Sequence, residues 1–342
     1  MARRPNQTRA FRALIEKLTP DLQRAFHAAI ADLRDRVDMA ALVDRLRAND
    51  IAGAIEALNL SPGAFYQYAA VKTSAYAQGG ALAATTINGP PGGQVLFRFD
   101  MANPRAEAWI AEHVAGNVTR MTDEARQGIR ATILEAYSKG QHPNDIARDI
   151  GGRMLAGKRQ GGIIGLSGPQ MGYVHSMRAR LESGVKGEME RVFGMTRRDK
   201  RFDHLIRKAI AEGRPLSKTD IDAMIQRYTD RLLAKRAEDI ARTETGIAVM
   251  SARAEEWQQA VDKLGYPAEA VLKTWVHGGG VKDPRPHHVA ANNMRAQGLS
   301  TAFVLSNGAV MQHALDPAGG AAECANCTCD TTFRMDHSWG LT

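Results

Sequence analysis

The sequence predicts a mainly α protein: a multi-helix N-terminal body carrying a small C-terminal α+β module. Three observations predict it. Aromatic residues are only 6% of the 342 positions while alanine and arginine abound, which suits helices packed through small and aliphatic side chains. Apolar residues recur at spacings of three and four through most of the chain up to Leu264, the period of one helix face. After Pro267 that period gives way to β-branched and aromatic runs separated by turn residues. A chain of this length is expected to hold two or three domains.

In chain order, residues 9–58 read as helices. Pro20-Asp21 is a start signal, with Leu22, Phe26, Ile30 and Leu33 on one face. Ser61-Pro62 supplies an N-cap and a first-turn proline for a helix reaching about Thr85. Asn88–Gly93 is punctuation, and Val95–Phe99 reads as a short extended piece. Helices resume at Pro104, over Thr119–Ser138, and from Pro143. Residues 151–168 are glycine-rich and read as a loop or hinge, followed by a helix from Pro169 to about Glu182. Ser217-Lys218-Thr219-Asp220 caps the longest helix, which runs to Leu264 and stops at Gly265-Tyr266-Pro267. Val271–His277 reads as a strand. Ser306-Asn307-Gly308 between two apolar runs signals a hairpin. This punctuation divides the chain into helical regions at 1–87 and 94–150, a glycine-rich loop and basic linker at 151–218, and a long helix plus module at 219–342.

A net charge of +8 and a pI of about 9.5 point to contact with a polyanion, although an arginine-rich coding bias produces the same excess. The N-terminal Met-Ala-Arg-Arg-Pro has no apolar run of secretory length behind it. No stretch reaches the ~20 apolar residues a membrane span needs. The expected compartment is a cytoplasm, where persistent disulfides are disfavoured and clustered cysteines point to metal or free thiols.

Four motifs bear on chemistry. Gly152-Arg-Met-Leu-Ala-Gly-Lys158-Arg159 approaches a phosphate loop but places Arg159 where Ser or Thr must reach magnesium, and no buried strand precedes it, so a flexible basic loop is the better reading. Arg197, Arg198, Lys200, Arg201, Arg207 and Lys208, with Phe193, Phe202 and His204 among them, suit either phosphate contact and base stacking or a solvated helix face. All three cysteines, Cys324, Cys327 and Cys329, fall within one turn-rich string, Glu-Cys-Ala-Asn-Cys-Thr-Cys. With His288 they could hold a structural zinc, His287, Asp283 and His313 being reserve ligands. Packed turn thiols are the metal-free alternative. A catalytic reading would use His288 as base, Arg285 as anion clamp and a cysteine as nucleophile. On the long helix, Ala241-Arg242-Thr243-Glu244-Thr245 places threonines mid-helix against their propensity.

Taken in order, the Ala-Arg-Thr-Glu helix, the strand with Trp275, the Asp-Pro-Arg-Pro-His-His segment and the terminal Asn-Cys-Thr-Cys resemble the phage Mu protein F-like family of head morphogenesis, or minor capsid, proteins. The matching residues are Ala241, Arg242, Thr243, Glu244, Trp275, Asp283, Arg285, His288, Asn326, Cys327 and Cys329, covering about residues 235–335. Phe99–Pro104, Ala108–Ile110 and Pro143–Ile150 are similar to the N-terminal half of such proteins. Departures are Thr328 where the family usually has arginine, the short spacing from Asp283 to Arg285, and the additional Cys324. The resemblance implies a non-enzymatic head component that docks on the portal protein and other capsid or scaffold proteins. It implies assembly in the host cytoplasm, enclosure at the portal vertex inside the virion, and contact with double-stranded DNA during packaging or ejection. A metal-dependent nuclease or hydrolase using the His/Cys cluster is the alternative.

Overall fold

A computed structural model describes residues 6–89, 95–155, 157–280, 282–337 and 339. It is mainly helical, as expected, with its strands concentrated in the C-terminal quarter. The helices are α1 (Gln7–Asp35), α2 (Met39–Arg47), α3 (Ile51–Ala57), α4 (Tyr66–Ala84), α5 (Pro104–Ile110), α6 (Gly116–Ser138), α7 (Pro143–Gly151), α8 (Gly168–Glu182), α9 (Lys186–Arg191), α10 (Asp203–Glu212), α11 (Lys218–Leu264), α12 (Pro286–Ala290) and α13 (Gly320–Cys324). Among the described residues, no helix is long and apolar enough to cross a membrane.

Capping explains most of these boundaries. Asp38 and Asp50 accept the Ala41 and Gly53 amides at the starts of α2 and α3. Asn103 and Pro104 open α5, and Ser167 and Gln170 form a reciprocal capping box on α8. Ser61 caps a short 3₁₀ turn that leads into α4, as the Ser-Pro signal predicts. Pro20 behaves otherwise. It lies inside α1, which continues through it for 29 residues. The helix is buried on both sides of the proline, at Leu18 and Leu22, and Thr19 bonds back to the Ile15 carbonyl at 2.7 Å. That packing outweighs one missing backbone bond.

The chain divides into two compact units that interleave, where the sequence suggests four consecutive segments. The reason is that α1, α4, α6 and α11 each contribute residues to both. One unit comprises Phe26–Tyr66 and Asn117–Ala237. It buries Phe26, Leu42, Ile133, Ile150, Ile164 and Leu181 among others. The segment expected to be a glycine-rich hinge is built structure in this unit. Strands β1 (Arg153–Leu155) and β2 (Lys158–Gln160) pair antiparallel. Ile163, Ile164 and Leu166 after them are fully buried. The Arg34 guanidinium clamps the Gly162 and Ile164 carbonyls at 3.0 Å. Of the Asn88–Gly93 punctuation, residues 90–93 lie outside the described positions.

The other unit comprises Met1–Ala25, Gln67–Gly116 and Glu238–Thr342 and contains the α+β module. Strands β3 (Val271–Val276), β4 (Arg295–Gln297) and β7 (Asp330–Met335) form an antiparallel sheet ordered β4-β3-β7, with Trp275 opposite Thr331. The Asn-Gly hairpin is present as β5 (Phe303–Val304) and β6 (Val310–Met311), with Gly308 at φ 86°. Val95–Phe99, by contrast, forms no paired strand. The inward side of β3 carries Val271, Lys273 and Trp275 against Ala248, Ala252 and Trp257 of α11, with Phe333 of β7 beside them. Arg253 of α11 is fully buried. Its guanidinium bonds Asp330 at 2.8 Å and Gln7 at 2.7 Å, lies 4.0 Å over the Phe11 ring and 5.3 Å over that of Phe333, and so ties helix to sheet.

Candidate metal centre

Four elements of the module deliver its titratable side chains to one place. Strand β3 ends at Val276 and puts His277 at its exit. Helix α12, opened by Pro286, presents His287 and His288. Helix α13 ends at Glu323-Cys324. The turn that leads into β7 then carries Cys327 and Cys329. Asn326 makes this turn possible by taking φ 54°, a conformation asparagine tolerates better than most residues. Gly278 allows the exit of β3 to lie against it. A Cβ at Gly278 would overlap the Thr328 carbonyl.

The donor atoms converge. His288 Nδ1 is 3.5 Å from Cys327 Sγ and 3.6 Å from Cys329 Sγ, and His277 Nδ1 is 3.6 Å from Cys329 Sγ. His288, Cys327 and Cys329 are buried and His277 is half-buried. The Cys329 amide points at Cys327 Sγ from 3.4 Å. On its far side His288 meets Glu323 Oε2 through Nε2 at 2.7 Å, His287 Nε2 meets the same oxygen at 2.8 Å, and Asn307 donates to Glu323 Oε1 at 2.9 Å. The carboxylate is thus fully engaged.

The two sulfurs titrate as one system. The hydrogen bond between them pushes the Cys329 thiol strongly down, with His288 adding to the effect, and pushes Cys327 up. Burial pushes the His288 imidazole down, but its bonds to Cys329 and Glu323 outweigh that and the net direction is up. The sulfur pair therefore holds one thiolate beside the His288 ring.

Several residues expected here lie elsewhere. Cys324 is buried but donates its thiol to the Asp316 carbonyl at 3.0 Å, and burial raises it to about 12. It stays protonated and does not belong to the cluster. Asp283 is exposed on the bend before α12, reaching none of the cluster, which corrects its reading as a ligand. His313 is buried against the Ala314 carbonyl at 2.9 Å, away from the sulfurs. Arg285 is no anion clamp. Its guanidinium donates to the Ala322 and Ala325 carbonyls at 2.6 and 2.9 Å, holding the end of α13.

The remaining motif residues are structural neighbours. Thr243 earns its place in α11 by accepting the Asn326 amide at 3.0 Å, while the Asn326 side chain donates to Asp239 at 2.9 Å. Glu244 pairs with the fully buried Lys72 at 2.6 Å. Trp275, with no exposed surface, meets the His288 ring edge-on at 5.3 Å. Arg242 is exposed on the rim of a 440 Å³ cavity bordered by Phe11, Met250, Leu315, Cys327 and Cys329.

The basic segment is more internally paired than its composition suggests. Arg198 grips Asp203 through two bonds of 3.0 Å, and Arg201 grips Asp199, whose carboxyl it holds down at about 2. Arg198 is half-buried and is withdrawn from the set of phosphate contacts. Arg197, Lys200, Arg207 and Lys208 are exposed.

Two participants escaped the sequence reading, His277 and Glu323. His277 was read as the end of a strand, although His-Gly-Gly-Gly at a strand exit leaves the imidazole free of a helix or ladder. Glu323 stands directly before Cys324 in the cysteine string. Comparison of the chain with family models, with curated proteins and with solved structures returns no match.

Proposed function

We propose that this chain is a minor capsid, head-morphogenesis protein of a tailed phage or prophage. It docks on the portal protein inside the procapsid, acts without catalytic turnover, and assists head assembly and DNA packaging or ejection. One observation supports the reading above the motif match itself. Residues scattered from Asp239 to Cys329 meet around the Asn326 turn: Thr243 and Asp239 hold Asn326, Arg285 holds the end of α13, and His288 meets Trp275, Cys327 and Cys329. A motif set whose members support one another's positions marks a structural scaffold more than a reaction centre, because its carbonyls and amides are spent on each other. The exposed Arg197, Lys200, Arg207 and Lys208 offer the phosphate contacts that such a protein makes with duplex DNA.

The test is assembly. A portal gene is expected beside the gene for this chain, and co-expressed with that portal protein the full chain is expected to co-purify with the portal ring and to sediment with procapsids. A chain that stays at the top of the gradient, and whose neighbouring genes encode metabolic enzymes, overturns the proposal. The nuclease or hydrolase alternative is checked with the same preparation: metal-dependent cleavage of DNA that His288→Ala abolishes, with the fold intact, would replace it.

A further inference from the structure

We propose that Cys327, Cys329, His288 and His277 form a closed four-ligand site for a zinc ion, with Glu323 orienting His288 from behind. The inference stands apart from the assembly proposal, since a fastening metal serves a capsid component and an enzyme alike.

Spacing is the first argument. Zinc bound at about 2.3 Å to sulfur and about 2.0 Å to nitrogen, at tetrahedral angles, places neighbouring S and N donors about 3.5 Å apart. Three of the four S···N separations are 3.5, 3.6 and 3.6 Å; the donor atoms of His288, Cys327 and Cys329 lie within 4.8 Å of one another, and His277 joins them through Cys329. The second triad in the same place gives the contrast. His287 Nε2 and His288 Nε2 each lie 2.7–2.8 Å from Glu323 Oε2, which is hydrogen-bond spacing and too short for two ligands of one ion. The carboxylate is a partner of the imidazoles and not a ligand.

The second argument is the direction of the lone pairs. Glu323 lies against His288 Nε2, and Nδ1 on the opposite side of the ring faces both sulfurs. A carboxylate behind a ligand imidazole is the usual way such a ring is held and made more basic. The Cys329 amide aims at Cys327 Sγ, and the Gly278 amide donates to the Cys329 sulfur. Backbone amides gather around sulfur when it carries negative charge.

Charge supplies the third. Two thiols and two imidazoles brought together here match the charge of one divalent ion. A divalent ion lets both thiols deprotonate, two protons leaving to solvent, and both imidazoles bind as neutral donors, so the centre is uncharged. Two soft sulfurs with two imidazoles select zinc among abundant divalent metals, and four protein ligands leave no open position for substrate.

The experiment uses the full chain purified without chelator. Elemental analysis is expected to find about one zinc per chain, unchanged in Cys324→Ser, with His277→Ala binding zinc at least about tenfold more weakly. Replacing the metal with cobalt(II) in the wild-type chain is expected to give the intense visible bands of a tetrahedral ion and a near-ultraviolet thiolate charge-transfer band. This readout needs no variant to fold. The proposal is overturned by any of three results: less than ~0.1 zinc per chain both as purified and after incubation with zinc; a weak, octahedral cobalt spectrum; or metal lost in Cys324→Ser and kept with full affinity in His277→Ala.

Discussion

Two clusters of titratable groups can be set side by side. In the unit that holds Phe26–Tyr66 and Asn117–Ala237, Arg178 bridges Asp149 at 2.8 Å and Asp222 at 3.0 Å, Arg153 adds a second cation to Asp222, and the group borders a 230 Å³ cavity. In the C-terminal module, two thiols and two histidines meet, and His288 bonds Glu323 behind them. The first cluster carries its own counter-charges, so burial costs little beyond an upward push on Asp149. The second offers four donors gathered around two thiols. What separates a finished ion pair from the proposed zinc site is therefore a count of charges, and proximity of ionisable groups alone does not distinguish them.

Breaking that contrast should give effects of graded size. Cys327→Ser, which removes a donor while keeping a small polar side chain, is expected to cost about 4 kcal/mol or more in chemical unfolding and to release the amides of β3 and β7 to hydrogen exchange while those of α2 and α8 stay protected. Retained protection in β3 would show that the module does not depend on its cluster. Arg178→Ala leaves Asp149 and Asp222 facing one another and should cost about 2–3 kcal/mol in urea unfolding, less than the first because the group is partly open to water. Equal costs in the two variants would erase the contrast drawn above.

Asn326→Ala tests the frame around the centre. It loses the bond to Asp239 and puts alanine at a positive φ, for an expected cost of about 1–2 kcal/mol. Asn326→Gly, which relaxes the backbone and loses only the side-chain bond, should cost about half of that.

Glu256 of α11 provides a third case, a buried carboxyl with neither metal nor clamping arginine. Burial pushes it up to about 7, with repulsion from Glu255 adding to the effect. A folded-state value above the unfolded 4.5 means the folded chain binds the extra proton between those pH values, so stability falls as pH rises through that window. Glu256→Gln should therefore raise the melting temperature at pH 8 and leave it nearly unchanged at about pH 4. A gain of the same size at both pH values would point to packing instead. The smallest effects belong to Asp283→Asn and Arg197→Ala, both exposed, each within about 0.5 kcal/mol.

How much of this was legible in the residues depends on how local each signal is. Helix ends marked by Ser61-Pro62, Asn103-Pro104 and Ser217 were readable because a cap acts within one turn. So was the Asn307-Gly308 hairpin. Pro20 misled because the burial that carries α1 through it comes from distant packing. Residues 151–168 read as a loose hinge because glycine marks freedom in sequence, whereas here it permits tight turns pinned by Arg34. Of the cluster, Cys327, Cys329 and His288 were singled out by residue type. Cys324 was included wrongly, because a helix end turns its thiol toward Asp316. His277 lies 52 positions before Cys329, and only the exit of a strand brings it in.

The interleaving of the two units has a kinetic consequence. Gln7 and Phe11 of α1 meet Arg253 of α11, which in turn bonds Asp330 of β7. Those contacts span 246 and 77 positions. During synthesis, α1 must wait for α11 and then for β7 before its buried face has a final partner, while the segments from Phe26 to Ala237 are already complete. The unit containing the cysteines should thus be the last to become native, and its refolding the slow phase, because closing so long a loop is entropically costly before any contact rewards it.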